Sequence, residues 1–143
     1  MKKVFFTLLT ILSVTFSFGQ ILNPVKFDYS VVKKGAGLYE VHVKTLLEPK
    51  WHIYSVANPE GGAEATTLKL SSGTAVGKVK EKGLLKTTFD KEFQVNQKYY
   101  ESNVDFVQLV KTTADKITGT ITYMVCNDKQ CLPPKEVEFK VKL

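Results

Sequence analysis

The sequence contains little cysteine and little histidine, with two residues of each among 143. Two cysteines exclude the multi-disulfide scaffold that stabilises many small exported domains. They also disfavour a structural zinc site, which normally has four ligands arranged as two closely spaced pairs. The length suits one domain with a substantial hydrophobic core and is too short for two comfortable ones.

Several other patterns are missing as well. Past residue 19 there is no convincing helical periodicity, no internal repeat and no low-complexity tract. The basic residues do not cluster but are scattered along alternating segments, as in Lys44, Lys78, Lys80, Lys111, Lys140 and Lys142. Scattered lysines are typical of solvated strand faces and not of a nucleic-acid or polybasic membrane surface. We therefore expect no nucleic-acid partner.

The first 19 residues have the pattern of a cleaved signal peptide. Two lysines precede an uncharged, largely apolar run, Val4 to Phe18, and the small residues Ser17 and Gly19 follow where signal peptidase cleaves. The run of about 15 residues is short for a bilayer span of roughly 20, although an uncleaved anchor is the alternative. Cleavage after Gly19 leaves residues 20–143 with a net charge of +4 instead of +6 and no integral membrane segment. We expect this domain in the periplasm, where two cysteines can pair.

The remaining chain is dominated by alternation of apolar and polar residues. Tyr39, Val41 and Val43 share one face of a segment whose other face is polar and includes His42, which we expect to be solvated. Such period-two segments, rich in β-branched and aromatic residues, predict strands with one buried face. Eight to ten of them predict an all-β fold, an antiparallel β-sandwich of immunoglobulin-like type. Residues 87–102 alternate poorly and predict a long loop or an irregular edge hairpin.

The two cysteines, Cys126 and Cys131, are separated by four intervening residues. If one strand ends at Cys126 and the next begins at Cys131, the intervening residues form a four-residue hairpin loop. Directly opposed strand residues have Cβ atoms about 4.5–5.5 Å apart, and a disulfide requires roughly 3.5–4.5 Å. A disulfide between the two is therefore feasible.

Such a disulfide is a weak staple. Closing a loop of about six residues stabilises a fold by only about 2 kcal/mol, against roughly 4.7 kcal/mol for a hundred-residue loop. This favours a dithiol kept for its chemistry, with a purely structural hairpin disulfide as the alternative. A copper or zinc site with His42 or His52 is a third possibility, but no second cysteine pair supports it. For His52, between Trp51 and Ile53, we expect a packed amphipathic side chain, and we expect neither a metal nor a cofactor.

The cysteine segment "TYMVCNDKQCLPPKEVEF" and three further blocks, "ILNPVKFDYSV", "PKWHIYSVANPEGG" and "FDKEF", resemble one known family. They are similar to the N-terminal periplasmic domain of DsbD, a bacterial thiol:disulfide interchange protein. The cysteine hairpin followed by Pro133, Pro134 and Glu136 is the most specific part. The resemblance covers residues 20–143 and implies an immunoglobulin-like sandwich with the cysteine pair at a hairpin tip.

The resemblance also implies roles for individual residues. Cys131 makes the mixed disulfide with a partner protein, and Cys126 resolves it. A cap loop shields the pair with an aromatic ring, for which Phe93 is the matching position. Tyr54 matches an aromatic residue beside the cysteines. The acidic cap residues correspond to Asp90 and Glu92.

The implied activity is that of a protein-disulfide reductase component, with a link to cytochrome c biogenesis. Reducing equivalents pass from a thioredoxin-like or membrane donor to oxidised periplasmic proteins. The best-known members have five residues between the cysteines and are fused to a membrane domain and a thioredoxin domain. We therefore expect the donor to be a separate protein here. A different class of function, an immunoglobulin-like binding module with a structural disulfide, is the alternative.

Overall fold

The computed structural model describes residues 22–143 and contains nine β-strands and, within that range, no helix. The strands are β1 (Val25–Gly35), β2 (Leu38–Leu47), β3 (His52–Tyr54), β4 (Thr67–Leu70), β5 (Thr74–Asp90), β6 (Val95–Lys111), β7 (Lys116–Tyr123), β8 (Val125–Cys126) and β9 (Lys135–Lys142). The predicted all-β fold and strand number are confirmed. The predicted signal peptide, residues 1–19, lies outside the described residues.

The strands form two antiparallel sheets. The larger one has the order β1-β2-β6-β3-β8, and the smaller one has the order β4-β7-β9. Strand β6 organises the larger sheet, because β2 and β3 pair with successive parts of one edge while β5 pairs along the other edge. The short strands β3 and β8 therefore extend the sheet beside the first part of β6.

The core lies between the two sheets. Val41, Val43 and Phe106 of the larger sheet and Ile117 and Ile121 of the smaller sheet have no solvent-accessible surface. Burial of such side chains, at roughly 1.5–3 kcal/mol each, is the main driving force for this fold. The alternation predicted from the sequence is confirmed. No helix in the described range has the length and apolar character needed to cross a membrane.

Strands β5 and β6 form a long hairpin that extends beyond the sandwich. Its outer half pairs Leu85–Asp90 with residues 95–100 and ends in a tip of residues 91–94. Of the two predictions for residues 87–102, the irregular edge hairpin is confirmed, with register shifts on either side of Lys80–Gly83. The alternation was obscured because much of β5 is exposed on both faces: Leu84 and Phe89 lie in solvent with their polar neighbours.

The prediction that His42 is solvated is wrong. Its side chain is only 11% exposed, and its Nδ1 lies 2.7 Å from Oδ2 of Asp105 on β6. The two residues belong to neighbouring strands of the larger sheet, where a polar face can still be covered by charged side chains. A pairing between residues so far apart in sequence is invisible to a periodicity argument.

The sequence predicted that the cysteine segment is one simple hairpin, and this prediction is wrong. Strand β7 ends at Tyr123 in the smaller sheet, where it pairs with β9, and β8 then joins β3 in the larger sheet. The chain returns through Cys131, which forms an isolated bridge with Cys126, and through Pro133 and Pro134 to β9. Because proline has no backbone N–H for a sheet ladder, these residues separate the cysteine tip from β9.

Candidate redox site at the edge of the larger sheet

Cys126 and Cys131 are joined by a disulfide, with their Cα atoms 4.0 Å apart. The tip between them is closed by Asn127, whose side-chain Oδ1 accepts hydrogen bonds from the backbone N–H groups of Lys129 and Gln130, both at 2.9 Å. The backbone N–H of Asn127 also donates to the carbonyl of Gln130. The local fold of the tip is therefore supported by hydrogen bonds as well as by the disulfide.

The two cysteines differ sharply in exposure. Cys126 is 2% exposed because β8 is inserted beside β3, whereas Cys131 lies outside the regular strands and is exposed. Thiol–disulfide exchange begins when a thiolate attacks an accessible sulfur. Of the two cysteines, Cys131 is therefore the residue that solvent and a partner protein can reach.

Three aromatic side chains lie next to the buried cysteine. His52 is the direct cross-strand partner of Cys126, and Tyr54 is the partner of Tyr99. The His52 ring centroid is 4.6 Å from that of Tyr99, and its Nε2 is 3.1 Å from the hydroxyl of Tyr54. Residues paired across antiparallel strands point to the same face. His52, Tyr54 and Tyr99 thus form one aromatic cluster on the face that carries Cys126.

Charged groups surround this aromatic cluster. Burial lowers the pKa of His52, and the carboxylates of Glu101 and Asp128 oppose that shift. Burial raises the pKa of Tyr54, with a further contribution from the Asp90 carboxylate. The loss of solvent is the larger effect in both cases. His52 is therefore neutral near pH 7.

Two grooves flank the disulfide. A polar groove of about 440 Å³ runs past His52 and is bordered by acidic groups from three segments, Glu48, Glu101 and Asp128. A mainly apolar groove of about 240 Å³ lies on the side of Cys131 and is lined by Leu22, Asn23, Pro24, Tyr123, Val125, Leu132, Pro133, Pro134 and Lys135. The surface around the cysteine tip therefore has one apolar groove and one polar groove, and the polar groove contains Lys50 as well as the three acidic groups.

The predicted cap residues lie at the tip of the long hairpin. Asp90 closes that tip by accepting hydrogen bonds from the backbone N–H groups of Glu92 and Phe93, at 2.9 and 3.1 Å. The Phe93 ring is 52% exposed. His52 pairs with Cys126 on one side and with Glu101 of β6 on the other. Glu101 lies about 20 Å along β6 from the first residue of that strand, at roughly 3.3 Å per residue. Shielding of the cysteines by Phe93 stays a prediction.

Tyr54 connects the two regions. Its side chain is buried, its hydroxyl contacts His52 on the side of the cysteines, and the Asp90 carboxylate acts on it from the side of the tip. A role of Tyr54 beside the cysteine pair stays a prediction. Sequence reasoning missed Tyr99 and Glu101, for which no local signal exists. Asn127 was identifiable from the sequence, because Asn-Asp between two strands is typical of a turn.

Metal binding receives no support from the geometry. Within residues 22–143, no three His, Cys, Asp or Glu side chains come together as a metal-binding group. The Nε2 of His52 is engaged with Tyr54, and Nδ1 of His42 with Asp105.

Comparison with known proteins assigns the family. Residues 20–143 match the N-terminal domain of the thiol:disulfide interchange protein DsbD. The chain belongs to this family. No curated protein matches the sequence.

Solved structures of DsbD-type domains share the fold. The N-terminal periplasmic domain of ScsB from Proteus mirabilis is 15% identical, with a TM-score of 0.66 over 85% of this chain and 47% of that one. This chain therefore spans about half of that ScsB structure. The reduced DsbD N-terminal domain of Neisseria meningitidis is 18% identical, with a TM-score of 0.57 over 81% of this chain and 84% of that one. A chain in the complex between the DsbD and PilB N-terminal domains from the same organism is 16% identical, with a TM-score of 0.60 over 85% of this chain and 88% of that one.

Proposed function

We propose that this DsbD N-terminal domain is a periplasmic thiol–disulfide exchange module that works through Cys126 and Cys131. It takes reducing equivalents from a thioredoxin-like or membrane donor and passes them to exported oxidised proteins. The observation that carries the proposal is a difference in exposure between two cysteines that are joined by a disulfide and lie close in the sequence: Cys131 is exposed and Cys126 is buried.

The electron transfer follows from that difference. A donor thiolate attacks the sulfur of Cys131, the Cys126–Cys131 bond breaks, and Cys126 leaves as a thiolate. A second donor thiol then releases the domain as a dithiol, so the donor is oxidised by two electrons and the domain is reduced by two. In the next half-reaction the Cys131 thiolate attacks a substrate disulfide, and Cys126 resolves the mixed disulfide and expels the substrate as a dithiol.

The small stabilising effect of this disulfide supports a chemical role. The loop that it closes is worth about 2 kcal/mol, and the tip already has hydrogen bonds from Asn127. A reduced state can therefore keep its fold, as an exchange module requires.

The flanking surfaces support a protein partner. A DsbD N-terminal domain of Neisseria meningitidis has been solved in complex with the N-terminal domain of PilB. On this chain the apolar groove beside Cys131, which includes Leu132 and Pro133, is the surface that a docked partner would cover. In this proposal Tyr54 and the cap residues Asp90, Glu92 and Phe93 restrict access to the sulfurs until such a partner docks.

The test is the reduction potential of the Cys126–Cys131 bond, measured by equilibrating the mature domain with glutathione or dithiothreitol buffers. We expect a value between about −180 and −270 mV, the range of known exchange proteins. A value below about −300 mV, typical of structural disulfides, would overturn the proposal in favour of a binding module.

A further inference from the structure

The buried sulfur of the pair needs a proton partner in the exchange cycle. When the disulfide opens, Cys126 becomes a thiolate in a site that is 2% exposed. A thiolate in such surroundings is disfavoured unless a donor stabilises it, and a buried thiol gives up its proton with difficulty. Solvent has poor access to Cys126, so a neighbouring side chain able to donate and accept a proton would assist both steps.

His52 occupies that place. It is paired directly with Cys126 across β3 and β8, on the same face of the sheet. Direct cross-strand pairs have Cβ atoms about 4.5–5.5 Å apart, within reach of an imidazole ring. Its other neighbours fix the ring, since Tyr99 packs against it and the Tyr54 hydroxyl lies 3.1 Å from Nε2. Because Nε2 is engaged by Tyr54, we assign the contact with the sulfur to Nδ1.

We propose that His52 is the proton partner of Cys126, donating to its sulfur when the disulfide opens and accepting its proton when the disulfide re-forms. This inference rests on the proposed exchange function. In the resolving step the Cys126 proton moves to the imidazole, the thiolate attacks the Cys131 sulfur, and the Cys131–substrate bond breaks. The substrate leaves as a thiolate, and the imidazolium releases its proton to solvent. In the opening step the imidazole takes a proton from water in the polar groove and passes it to the departing Cys126 thiolate, which becomes a thiol while the imidazole returns to its neutral form.

The groups around His52 suit this role. The groups that face it are Tyr54 on β3, Tyr99 and Glu101 on β6, and Asp128 in the cysteine tip. Glu48 and Lys50 lie further along the polar groove. Lys86 of β5 forms an ion pair with Glu101. Burial keeps the imidazole neutral near pH 7, so it is available as a base. Glu101 and Asp128 favour the imidazolium that forms as the proton arrives.

The test follows the reaction of the fully reduced mature domain with dithiodipyridine by stopped flow. The attack of Cys131 releases one coloured thiopyridone at a rate that depends on reagent concentration. The resolving attack of Cys126 releases a second at a rate that does not. For His52→Phe, which keeps a ring against Tyr99, we expect the second phase to slow by about 100-fold near neutral pH, the low end of positioned acid–base effects. Its pH profile should shift upward, while the first phase is unchanged.

Two variants separate proton transfer from simple structural loss. In His52→Ala, imidazole added to the buffer should restore the second phase, which a purely structural role of the ring would not allow. His42→Phe is the matched control, since it removes the other histidine and should leave both phases unchanged. An unaltered second phase in His52→Phe, or one that imidazole cannot restore in His52→Ala, overturns the role of His52.

A measurement on the unsubstituted domain covers the case in which a variant fails to fold. The imidazole pKa of each histidine is measured by NMR in the oxidised and reduced protein. Reduction should raise the pKa of His52, because the new sulfur acceptor favours the imidazolium. Equal titration of His52 in both states overturns the inference. If the reduced wild-type domain releases no thiopyridone in either phase, the exchange function itself fails, which distinguishes the two hypotheses.

Discussion

The molecule has two four-residue tips that are closed in the same way and yet differ in nearly everything else. In one, Asn127 accepts two backbone N–H bonds and the flanking cysteines are covalently joined. In the other, Asp90 accepts two backbone N–H bonds at the end of a 17-residue strand, with no covalent link. The second tip shows that such a turn forms without a covalent link, with a further hydrogen bond from the Gln94 side chain to the carbonyl of Lys91. We therefore expect the first tip to keep its shape when its disulfide opens, which leaves the disulfide free for chemistry.

The largest expected effect comes from removing the sulfurs of the first tip. Cys131→Ser should abolish exchange with a reduced thioredoxin, because the exposed sulfur that receives the attack is gone. Cys126→Ser should instead accumulate a stable mixed disulfide on Cys131, because nothing resolves it. Both outcomes are read on non-reducing gels after incubation with the partner.

The matched control is Lys140→Ser, which changes an exposed residue of β9 and leaves both tips and both sulfurs in place. It should retain exchange. Mixed disulfides that form equally through either cysteine would contradict the asymmetry between the buried and exposed sulfurs.

The hairpin that carries the second tip is held to the sandwich by hydrogen bonds at the start of β6. We expect the largest loss of stability from a substitution that removes these bonds. Asn58 is buried and donates to the carbonyl of Ala63 and to the side chain of Gln97, and it accepts from the backbone N–H of Lys98. Asn58→Ala leaves buried polar groups without partners, at about 1–3 kcal/mol each. We expect the free energy of unfolding to fall by about 3 kcal/mol in urea denaturation.

Asn96→Ala is the matched control for this change. Asn96 lies on the same hairpin but is exposed, so its replacement should alter the unfolding free energy by less than about 0.5 kcal/mol. Equal effects of the two substitutions would mean that the base of the hairpin does not depend on Asn58.

The contrast between the tips also shows what a sequence can and cannot predict. Alternation located the buried faces of the strands, as for Val41 and Val43, because period two is a local property. It did not reveal the change of sheet after Tyr123, the pairing of His42 with Asp105, or the position of His52 opposite Cys126. These depend on strand pairing between distant segments, which one-dimensional periodicity does not encode.

The shielding role of Phe93 was predicted only from the family resemblance. The irregular pairing of β5 with β6 explains why the sequence alone does not place this ring relative to the cysteines. The ring lies at the tip of a hairpin whose direction depends on irregularities beside Lys80 and Gly83. Bulges change the bend and twist of a strand without a reliable sequence signature. The disulfide pair itself was predictable because both cysteines lie within one short segment.

Reduction of the disulfide should have a moderate effect on stability. The loop that it closes is short, so the free energy of unfolding should fall by only about 2 kcal/mol on reduction. Urea denaturation with and without dithiothreitol measures this difference. The double variant Cys126→Ser/Cys131→Ser is the control, since it should match the reduced domain and be indifferent to dithiothreitol. Unfolding of the whole domain on reduction would contradict a tip that is closed by Asn127.

The smallest effects come from the Asx side chains, and they test the comparison most directly. Asp90→Ala should destabilise the domain by about 1 kcal/mol, the usual worth of such hydrogen bonds, equally in the oxidised and reduced states. Asn127→Ala should cost less than that while the disulfide holds the tip and about 1 kcal/mol once it is reduced, because only then does the tip depend on Asn127 alone. Asn127→Asp, which keeps the acceptor oxygen, should behave like the wild type. If Asn127→Ala lowers the free energy of unfolding equally in the oxidised and reduced states, the hydrogen bonds and the disulfide act independently. The disulfide would then not be redundant in shaping the tip.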